Sequence, residues 1–318
     1  MEWIIGSGYM GIEYAKVLTN LKRDFLTVGR GEENAKKYSD IIGNDVITGG
    51  LKCYLEKKPE KPEAVIVASS VEQLYQTTSQ LLEYGVKLIL LEKPGGINRE
   101  QIKKLSELAK VKSADVVIGY NRRFYASTDK AIDIIKEDGG VTSFNFEFTE
   151  WSHTIETLNK SRETFETWLF ANSSHVINMA FFLGGYPEKM SSLSAGEGVL
   201  KWHPHASIFA GAGISKMKAL FSYQANWSSP GRWSVEMITR KHRLIFRPME
   251  KLQIQDIGSV VLNPVEINDS IDKEFKPGLL KQTECFLSKD FTRFINIHDQ
   301  LSHMDIYDTI LFGGNFAR

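Results

Sequence analysis

The chain of 318 residues has few of the features that would assign it to several classes of protein. Its two cysteines, Cys53 and Cys285, form no Cys-x-x-Cys pair, so a disulfide framework is not expected. Lys plus Arg total 39 and Asp plus Glu total 39, so no net field attracts nucleic acid or an anionic membrane. No apolar run approaches the roughly 20 residues that span a bilayer, and the start lacks a secretory pattern. We therefore expect a cytoplasmic protein with a small-molecule partner, no nucleic-acid partner and no membrane partner.

Two domains are predicted from the length and from a change of pattern near residue 120. In residues 1–120, short apolar runs alternate with segments of helical period; the runs are WII, FLTV, DVI, AVIVAS, KLILL and DVVIG. Nearly continuous apolar runs are typical of strands covered on both faces. The pattern predicts an N-terminal doubly wound α/β domain, a Rossmann fold with a parallel sheet.

Residues 121–318 show a different period and predict a second, α+β domain. In TSFNFEF and FSYQANWS, aromatic residues alternate with polar ones, as in half-exposed antiparallel strands. RWSVEMITRKHRLIF predicts two strands joined by a tight turn at 240–242, and residues 257–277 predict an extended loop. A mostly antiparallel sheet with helices on one face is expected.

A glycine-rich turn follows the first predicted strand and opens an amphipathic helix. Gly6, Gly8 and Gly11 have the G-x-G-x-x-G spacing of a dinucleotide site, in which the backbone approaches a pyrophosphate at the helix N-terminus. The residues predicted to contact the cofactor here are Gly6, Ser7, Gly8, Tyr9, Met10 and Gly11. A bare turn is the alternative.

The end of the second predicted strand bears on which dinucleotide is bound. An acidic residue there would bind the ribose 2′-OH of NAD, whereas an arginine suits the 2′-phosphate of NADP. Gly29 occupies the acid position and Arg30 follows it, so NADP is favoured over NAD. In the alternative interpretation, Arg30 is a solvated loop residue and Glu32 or Glu33 binds the ribose.

Lys93 follows the apolar run LILLE and should therefore lie at the carboxyl end of the sheet, where ligands bind in open α/β folds. An ammonium group there can hydrogen-bond a substrate oxygen and stabilise the charge that develops on it during hydride transfer. A surface Lys-Pro turn is the alternative.

The sequence resembles the Gfo/Idh/MocA family, named after glucose-fructose oxidoreductase, inositol dehydrogenase and MocA. Four elements match in order, namely GSGYMG, ASSVEQLY, EKP at 92–94 and GYNRRF at 119–124. The resemblance implies a catalytic role for Lys93, a Lys93–Pro94 bond that is often cis, and cofactor contacts at Ser69, Glu92 and Lys93. It also implies that the second sheet is open and forms a homo-oligomer, a dimer or tetramer.

The second catalytic signature of the family is only partly present, in WLFANSSHVINMAFFLGG. His175 occupies the histidine position, and Asn178 lies on the same predicted helix face. Ala171 stands where family members carry an Asp. A neutral imidazole can accept a hydroxyl proton as hydride leaves the carbon, so His175 is predicted to be catalytic and to contact substrate. Its alternative is a helix histidine packed between domains.

Further polar and aromatic residues predict a polyhydroxylated substrate, since flat rings beside hydrogen-bonding groups suit a sugar. The residues expected to bind it are Tyr120, Arg123, Trp151, His153, His175 and Asn178. Arg122 and Arg123 could bind a phosphate-bearing substrate or form salt bridges between domains. Trp227 and Trp233 are expected in the core or an interface.

No metal site is predicted. His203 and His205 flank a proline, but no third ligand follows at a recognisable spacing. The leading hypothesis is an NAD(P)-dependent oxidoreductase that acts on a secondary alcohol or ketone of a sugar, an inositol or a nucleotide-sugar. Because Ala171 replaces the Asp, a catalytically altered dinucleotide-binding regulator stays open, as does glycoside cleavage or epimerisation with transient use of NAD.

Overall fold

The structure, a computed structural model, describes residues 1–317. Its strands, in chain order, are β1 (Glu2–Ile5), β2 (Phe25–Val28), β3 (Val46–Ile47), β4 (Ala64–Val67), β5 (Leu88–Glu92), β6 (Asp115–Gly119), β7 (Ser143–Glu147), β8 (Pro187–Ala195), β9 (Ile208–Ser215), β10 (Leu220–Asn226), β11 (Ser234–Ile238), β12 (His242–Phe246), β13 (Gln253–Asp256), β14 (Asn263–Pro264), β15 (Ile295–Asn296) and β16 (Gly314–Ala317).

The helices, in chain order, are α1 (Tyr9–Asn20), α2 (Glu32–Ile42), α3 (Gly50–Glu56), α4 (Val71–Tyr84), α5 (Arg99–Lys112), α6 (Ala126–Glu137), α7 (Ser152–Ile155), α8 (Arg162–Glu166), α9 (Ser174–Gly184), α10 (Ser270–Glu274), α11 (Leu279–Leu287) and α12 (Ile297–Phe312). A 3-10 turn spans Asn121–Phe124, and a π-helical turn, Leu169–Ser173, precedes α9. Within residues 1–317, no helix is both long and apolar enough to cross a membrane.

Two compact units make up the chain. The first consists of Met1–Asn121 and Ile271–Ser302, and the second of Arg122–Ser270 with the residues from His303 onward. Residues 271–302, which the sequence places in the second domain, thus lie in the first unit. Two contacts explain this: α11 packs on α1, and β15 pairs with β6. Neither contact has a local sequence signal.

The first unit contains a sheet with the strand order β15-β6-β5-β4-β1-β2-β3. Every pair from β6 to β3 is parallel, and only the short β15 is antiparallel to its neighbour. Strands β1, β4 and β5 are buried along their whole length, as nearly continuous apolar sequences require, and the burial includes Glu2 and Glu92 at the ends of β1 and β5. The predicted doubly wound parallel sheet is confirmed.

The second unit contains a sheet with the strand order β14-β13-β12-β11-β7-β10-β9-β8-β16. Its pairs are antiparallel except β7 with β10. The predicted mostly antiparallel sheet is confirmed, including the turn between β11 and β12. The predicted extended loop at 257–277 is wrong in part, because β14 pairs with β13 and α10 forms one short helix inside it.

One face of the second sheet packs against α9. Phe144 and Phe146 of β7 are buried, and both rings meet Phe181 of α9 edge to face, at centroid distances of 6.1 and 5.3 Å. Gly184 ends this helix, and a Cβ there would lie 2.4 Å from the ring of Phe144. The missing side chain therefore lets α9 lie close to the sheet.

We expect Gly184→Ala to lower the free energy of unfolding by about 1–3 kcal/mol, because the added methyl group overpacks the contact with Phe144. Urea denaturation of the full chain measures the change. Combining it with Phe144→Leu provides a double-mutant cycle: the double variant should lose less stability than the sum of the two single losses. Strictly additive losses would contradict the proposed contact.

Candidate active site

The turn between β1 and α1 depends on contacts that leave no room for side chains. Gly6 has a φ of +125°, and a Cβ on it would lie 2.4 Å from the carbonyl oxygen of Ala68. A Cβ on Gly11 would lie 1.9 Å from the carbonyl oxygen of Gly6. Only glycine allows strand and helix to approach this closely at both positions.

A groove of about 820 Å³ opens at this turn in the first unit. Gly8 precedes α1 without a side-chain cap, and nothing lies within 4 Å of the position its Cβ would take. The first N–H groups of α1 are therefore available to an anion, as a dinucleotide pyrophosphate requires. The turn, the open space at Gly8 and the uncapped helix fit such a cofactor.

Five of the predicted cofactor-binding residues line this groove, namely Gly6, Ser7, Gly8, Arg30 and Ser69. The other five do not line it. Gly11 packs beneath the turn, Met10 is half-buried in α1, and Tyr9 is exposed with Lys276 Nζ 5.1 Å from its ring centroid. Glu92 and Lys93 follow β5, and their predicted contacts with cofactor stay predictions.

The end of the groove beside β2 carries positive charge. Arg30 and Lys52 line it together with Asn34, and no carboxylate is among its described lining residues. A side chain at Gly29 would place its Cβ 2.5 Å from Ser7 Oγ, so an acid does not fit there without displacing Ser7. Glu33, one of the two alternative acids, pairs with Lys37 at 2.6 Å on the surface of α2.

Lys93 begins the turn after β5, and the residue before it, Glu92, belongs to a buried hydrogen-bond network. The peptide bond between Lys93 and Pro94 is cis. Tyr14 of α1 donates its hydroxyl hydrogen to Glu92 Oε1 at 2.7 Å and lies 3.1 Å from Gln282 Oε1. Burial raises the pKa of Glu92, and the Tyr14 hydrogen bond and the charge of Lys93 oppose that rise.

Gln300 holds the same turn from another direction. Its side-chain amide is fully buried and donates to the carbonyl oxygen of Pro94 and to the hydroxyl of Tyr120, each at 3.0 Å. Tyr120, predicted to bind substrate, is itself only 1% exposed. The side chain of Tyr120 therefore supports the turn that carries Lys93.

His175 is the second residue of α9 and follows the π-helical turn. Its imidazole is half-buried, and its ring centroid lies 6.2 Å from that of Trp233. Ala171, where the family resemblance implies an Asp, is buried in the π-helical turn. Lys93 belongs to the first unit and His175 to the second.

A carboxylate that the sequence did not single out, Glu150, lies beside the segment that leads to His175. It is 2% exposed and follows β7. Its Oε1 accepts hydrogen bonds from Ser173 Oγ at 2.6 Å and Asn172 Nδ2 at 3.0 Å. Burial raises the pKa of Glu150, while these two hydrogen bonds and the charge of Arg232 act to lower it.

Two predicted substrate-binding residues, Arg123 and Asn178, are buried and bonded to each other. Arg123 Nε donates to Asn178 Oδ1 at 2.7 Å, and both side chains donate to the hydroxyl of Tyr186, at 2.7 and 3.1 Å. This network joins α9 to the 3-10 turn. Their direct contact with substrate stays a prediction.

The remaining predicted substrate residues lie around α7. Trp151 is 47% exposed and donates its indole N–H to the carbonyl oxygen of Gly231, and the exposed His153 lies beside it. Trp227 and Trp233 are buried, as expected of core residues. Within residues 1–317, no three His, Cys, Asp or Glu side chains come together as a metal site.

Sequence reasoning missed Glu150, Gln282 and Gln300. The two glutamines lie next to other polar residues in helices far along the chain, and nothing local distinguishes them. Glu150 lies three residues after β7, at a position where the alternating pattern of this strand would place an apolar residue. A charged residue at such a position was a usable but weak signal.

Residues 3–120 match the GFO_IDH_MocA family model, described as an oxidoreductase family with an NAD-binding Rossmann fold. A search of curated protein sequences found no match.

Several solved structures share the fold over almost the whole chain. An oxidoreductase from Desulfitobacterium hafniense, described as NADPH-dependent, superposes with a TM-score of 0.76 at 16% identity, over 96% of this chain and 92% of its own. Levoglucosan dehydrogenase with NADH and levoglucosan gives 0.75 at 16%, over 97% and 95%. An inositol dehydrogenase homologue from Azotobacter vinelandii, with NADH and myo-inositol, gives 0.75 at 13%, over 100% and 97%.

At these identities the structural matches show the shared fold alone. The family match covers the part of the chain that contains the glycine turn, the groove and the turn of Lys93. The resemblance to the Gfo/Idh/MocA family is thus confirmed over residues 3–120, which match the NAD-binding Rossmann domain of that oxidoreductase family.

Proposed function

We propose that the chain is an NAD(P)-dependent oxidoreductase that transfers a hydride between the nicotinamide and a secondary alcohol or ketone of a sugar, an inositol or a nucleotide-sugar. The observation that carries the proposal is the glycine turn, which borders a groove lined by positively charged residues. The residues of this turn and groove all lie within the part of the chain that matches the family model. Relatives in fold described with NADH and either levoglucosan or myo-inositol support a polyhydroxylated substrate.

NADP is the cofactor favoured by the groove. Arg30 is exposed at the end of β2, and within residues 1–317 its side chain makes no hydrogen bond or ion pair. Together with Lys52 it offers positive charge to a 2′-phosphate, whereas the absence of a lining carboxylate leaves the 2′-OH of NAD without its usual acceptor.

Lys93 orients the reacting oxygen in this proposal. Its ammonium group would donate a hydrogen bond to the substrate oxygen and stabilise negative charge there while the C–H or C=O bond reacts. The hydrogen bonds of Gln300 and the buried Glu92 support the turn that presents this side chain. The bound nicotinamide supplies or accepts the hydride.

His175 handles the proton in this proposal. In the oxidative direction its neutral imidazole takes the hydroxyl proton as the C–H bond loses its hydride, and in the reductive direction it returns that proton. Glu150 accepts hydrogen bonds from two residues just before His175, so it would hold the start of α9 in place. The carboxylate of Glu150 thus hydrogen-bonds to this segment, although position 171 has an alanine in place of an Asp.

A homo-oligomer through the second sheet is also part of the proposal. Leu193 of β8 and Leu220 of β10 are 77% and 62% exposed, and Phe316 of β16 lines a shallow groove nearby. Large apolar side chains on an open sheet face favour pairing with another copy.

We expect Arg30→Ala to weaken NADPH binding by about ten- to hundredfold and to change NADH binding little, because it removes a charge-assisted contact to the 2′-phosphate. Fluorescence titration of the reduced cofactors measures both affinities. Lys103→Ala, which removes an exposed charge from α5, is the control and should change neither. Equal losses for NADPH and NADH, or tighter binding of NADH by the unaltered protein, would contradict the preference for NADP.

Lys93→Ala and His175→Ala should each reduce turnover by about 10²–10⁴-fold, as expected for the loss of a proton-transfer or oxygen-stabilising group. NADPH affinity should be largely retained. The assay follows cofactor absorbance during a screen of sugars, inositols and nucleotide-sugars, and circular dichroism checks that both variants fold. Unchanged turnover in both variants would remove the proposed mechanism.

The same screen separates the alternatives that Ala171 keeps open. Tight NADPH binding with no turnover of any polyol would favour a dinucleotide-binding regulator. Cofactor that stays bound through purification, together with glycoside cleavage or epimerisation, would favour transient use of NAD.

A further inference from the structure

Two arginines of the second unit lie against one tryptophan. The guanidinium carbons of Arg122 and Arg232 are 4.9 and 4.6 Å from the ring centroid of Trp233, and that of Arg232 is also 4.3 Å from the ring of Trp151. We call Arg122, Arg232, Trp151 and Trp233 the Trp233 cluster. Its members come from three separate parts of the chain, so the folded unit brings both positive charges to one place.

The charge of Arg122 is not compensated within residues 1–317. Its side chain makes no hydrogen bond and no ion pair there, and its Nε is buried without an acceptor. The next residue shows the contrast, since Arg123 donates to both Asn178 and Tyr186. The rings of Trp233 and Tyr125 lie against this guanidinium but accept no conventional hydrogen bond from it, so the buried Nε–H has lost water without gaining an acceptor.

Arg232 is compensated only weakly. Its nearest carboxylate oxygen is Glu150 Oε2 at 3.7 Å, which is beyond hydrogen-bonding distance, and Glu150 Oε1 already accepts from Ser173 and Asn172. The side chain of Arg232 is 44% exposed and within reach of solvent. The cluster therefore has two positive charges and no carboxylate of its own, and Glu150 is the one acid that the structure places within 4 Å of either arginine among the described residues.

The cluster lies near the residue proposed to move the proton. Trp233 is the ring that His175 approaches at 6.2 Å, so an anion held between the two arginines would belong to a molecule close to His175. Trp151 adds an exposed aromatic face, which suits the C–H face of a sugar ring. Planar guanidinium groups bind carboxylate and phosphate through paired hydrogen bonds.

We propose that the Trp233 cluster binds an anionic group of the substrate, so that the preferred substrate is a sugar or inositol derivative carrying a carboxylate or a phosphate. That the bound molecule is a substrate rests on the proposed function. The site itself rests on the two guanidinium groups and the ring they share.

Isothermal titration calorimetry on the full chain tests the site with three matched sugars, D-glucose, D-glucuronate and D-glucose 6-phosphate. Titrations with saturating NADPH exclude oxidation of the sugar, and titrations without cofactor make the result independent of NADPH binding. We expect at least one of the two anions to bind about tenfold or more tightly than glucose, and added salt to weaken that preference. The better of the two identifies carboxylate or phosphate as the group recognised.

Arg122→Gln and Arg232→Gln should each weaken binding of the preferred anion about ten- to hundredfold and leave glucose unchanged. Arg232→Lys keeps the charge and should retain part of the preference, which a merely structural role would not predict. Arg240→Gln, in the exposed turn before β12, is the control and should change nothing.

Equal affinity for the three sugars, including no binding of any, would overturn the anion site. Turnover of neutral polyols would then still support the proposed function. Conversely, tight anion binding lost in both glutamine variants, without turnover of any sugar, would leave the site in place and remove the oxidoreductase function.

Discussion

The backbone contact between β1 and α1 is the constraint on which the candidate cofactor groove depends. The missing side chains of Gly6 and Gly11 let the helix start directly at the carboxyl end of the sheet. Its uncapped N–H groups then face the groove, and the open space at Gly8 leaves them accessible. An anion site arises here from the position of a backbone, so it needs no dedicated ligand side chain at the turn.

Each unit also contains a buried carboxylate next to a candidate catalytic residue. Glu92 immediately precedes Lys93 and accepts from Tyr14, whereas Glu150 accepts from the segment just before His175. Burial raises the pKa of both, so each carboxylate depends on its hydrogen-bond donors. Because such a group is costly when a donor is lost, it holds the neighbouring backbone in one arrangement.

The parallel sheet could be predicted almost strand by strand, because strands covered on both faces are continuous apolar runs. The sequence also predicted that Gly6, Gly8 and Arg30 lie together at the edge of the sheet, because each follows a strand, and all three line the groove. The return of residues 271–302 could not be predicted, because it depends on long-range packing of α11 and on the hydrogen bonds of two glutamines that resemble their polar neighbours in the sequence. The environments of Glu150 and Arg122 could be recognised only in the structure, since a sequence does not show which charged side chains have hydrogen-bond or ion-pair partners.

The hydrogen bonds of Gln282 and Gln300 have a consequence for how the chain can be divided. Both residues come from 271–302, the segment that belongs to the first unit although it follows residues 122–270 of the second unit in the chain. A fragment that ends at residue 121 would contain the whole glycine turn and Lys93, yet Tyr14, Pro94 and Tyr120 would each lose a partner. The first unit is therefore complete only when synthesis of the chain has passed residue 300.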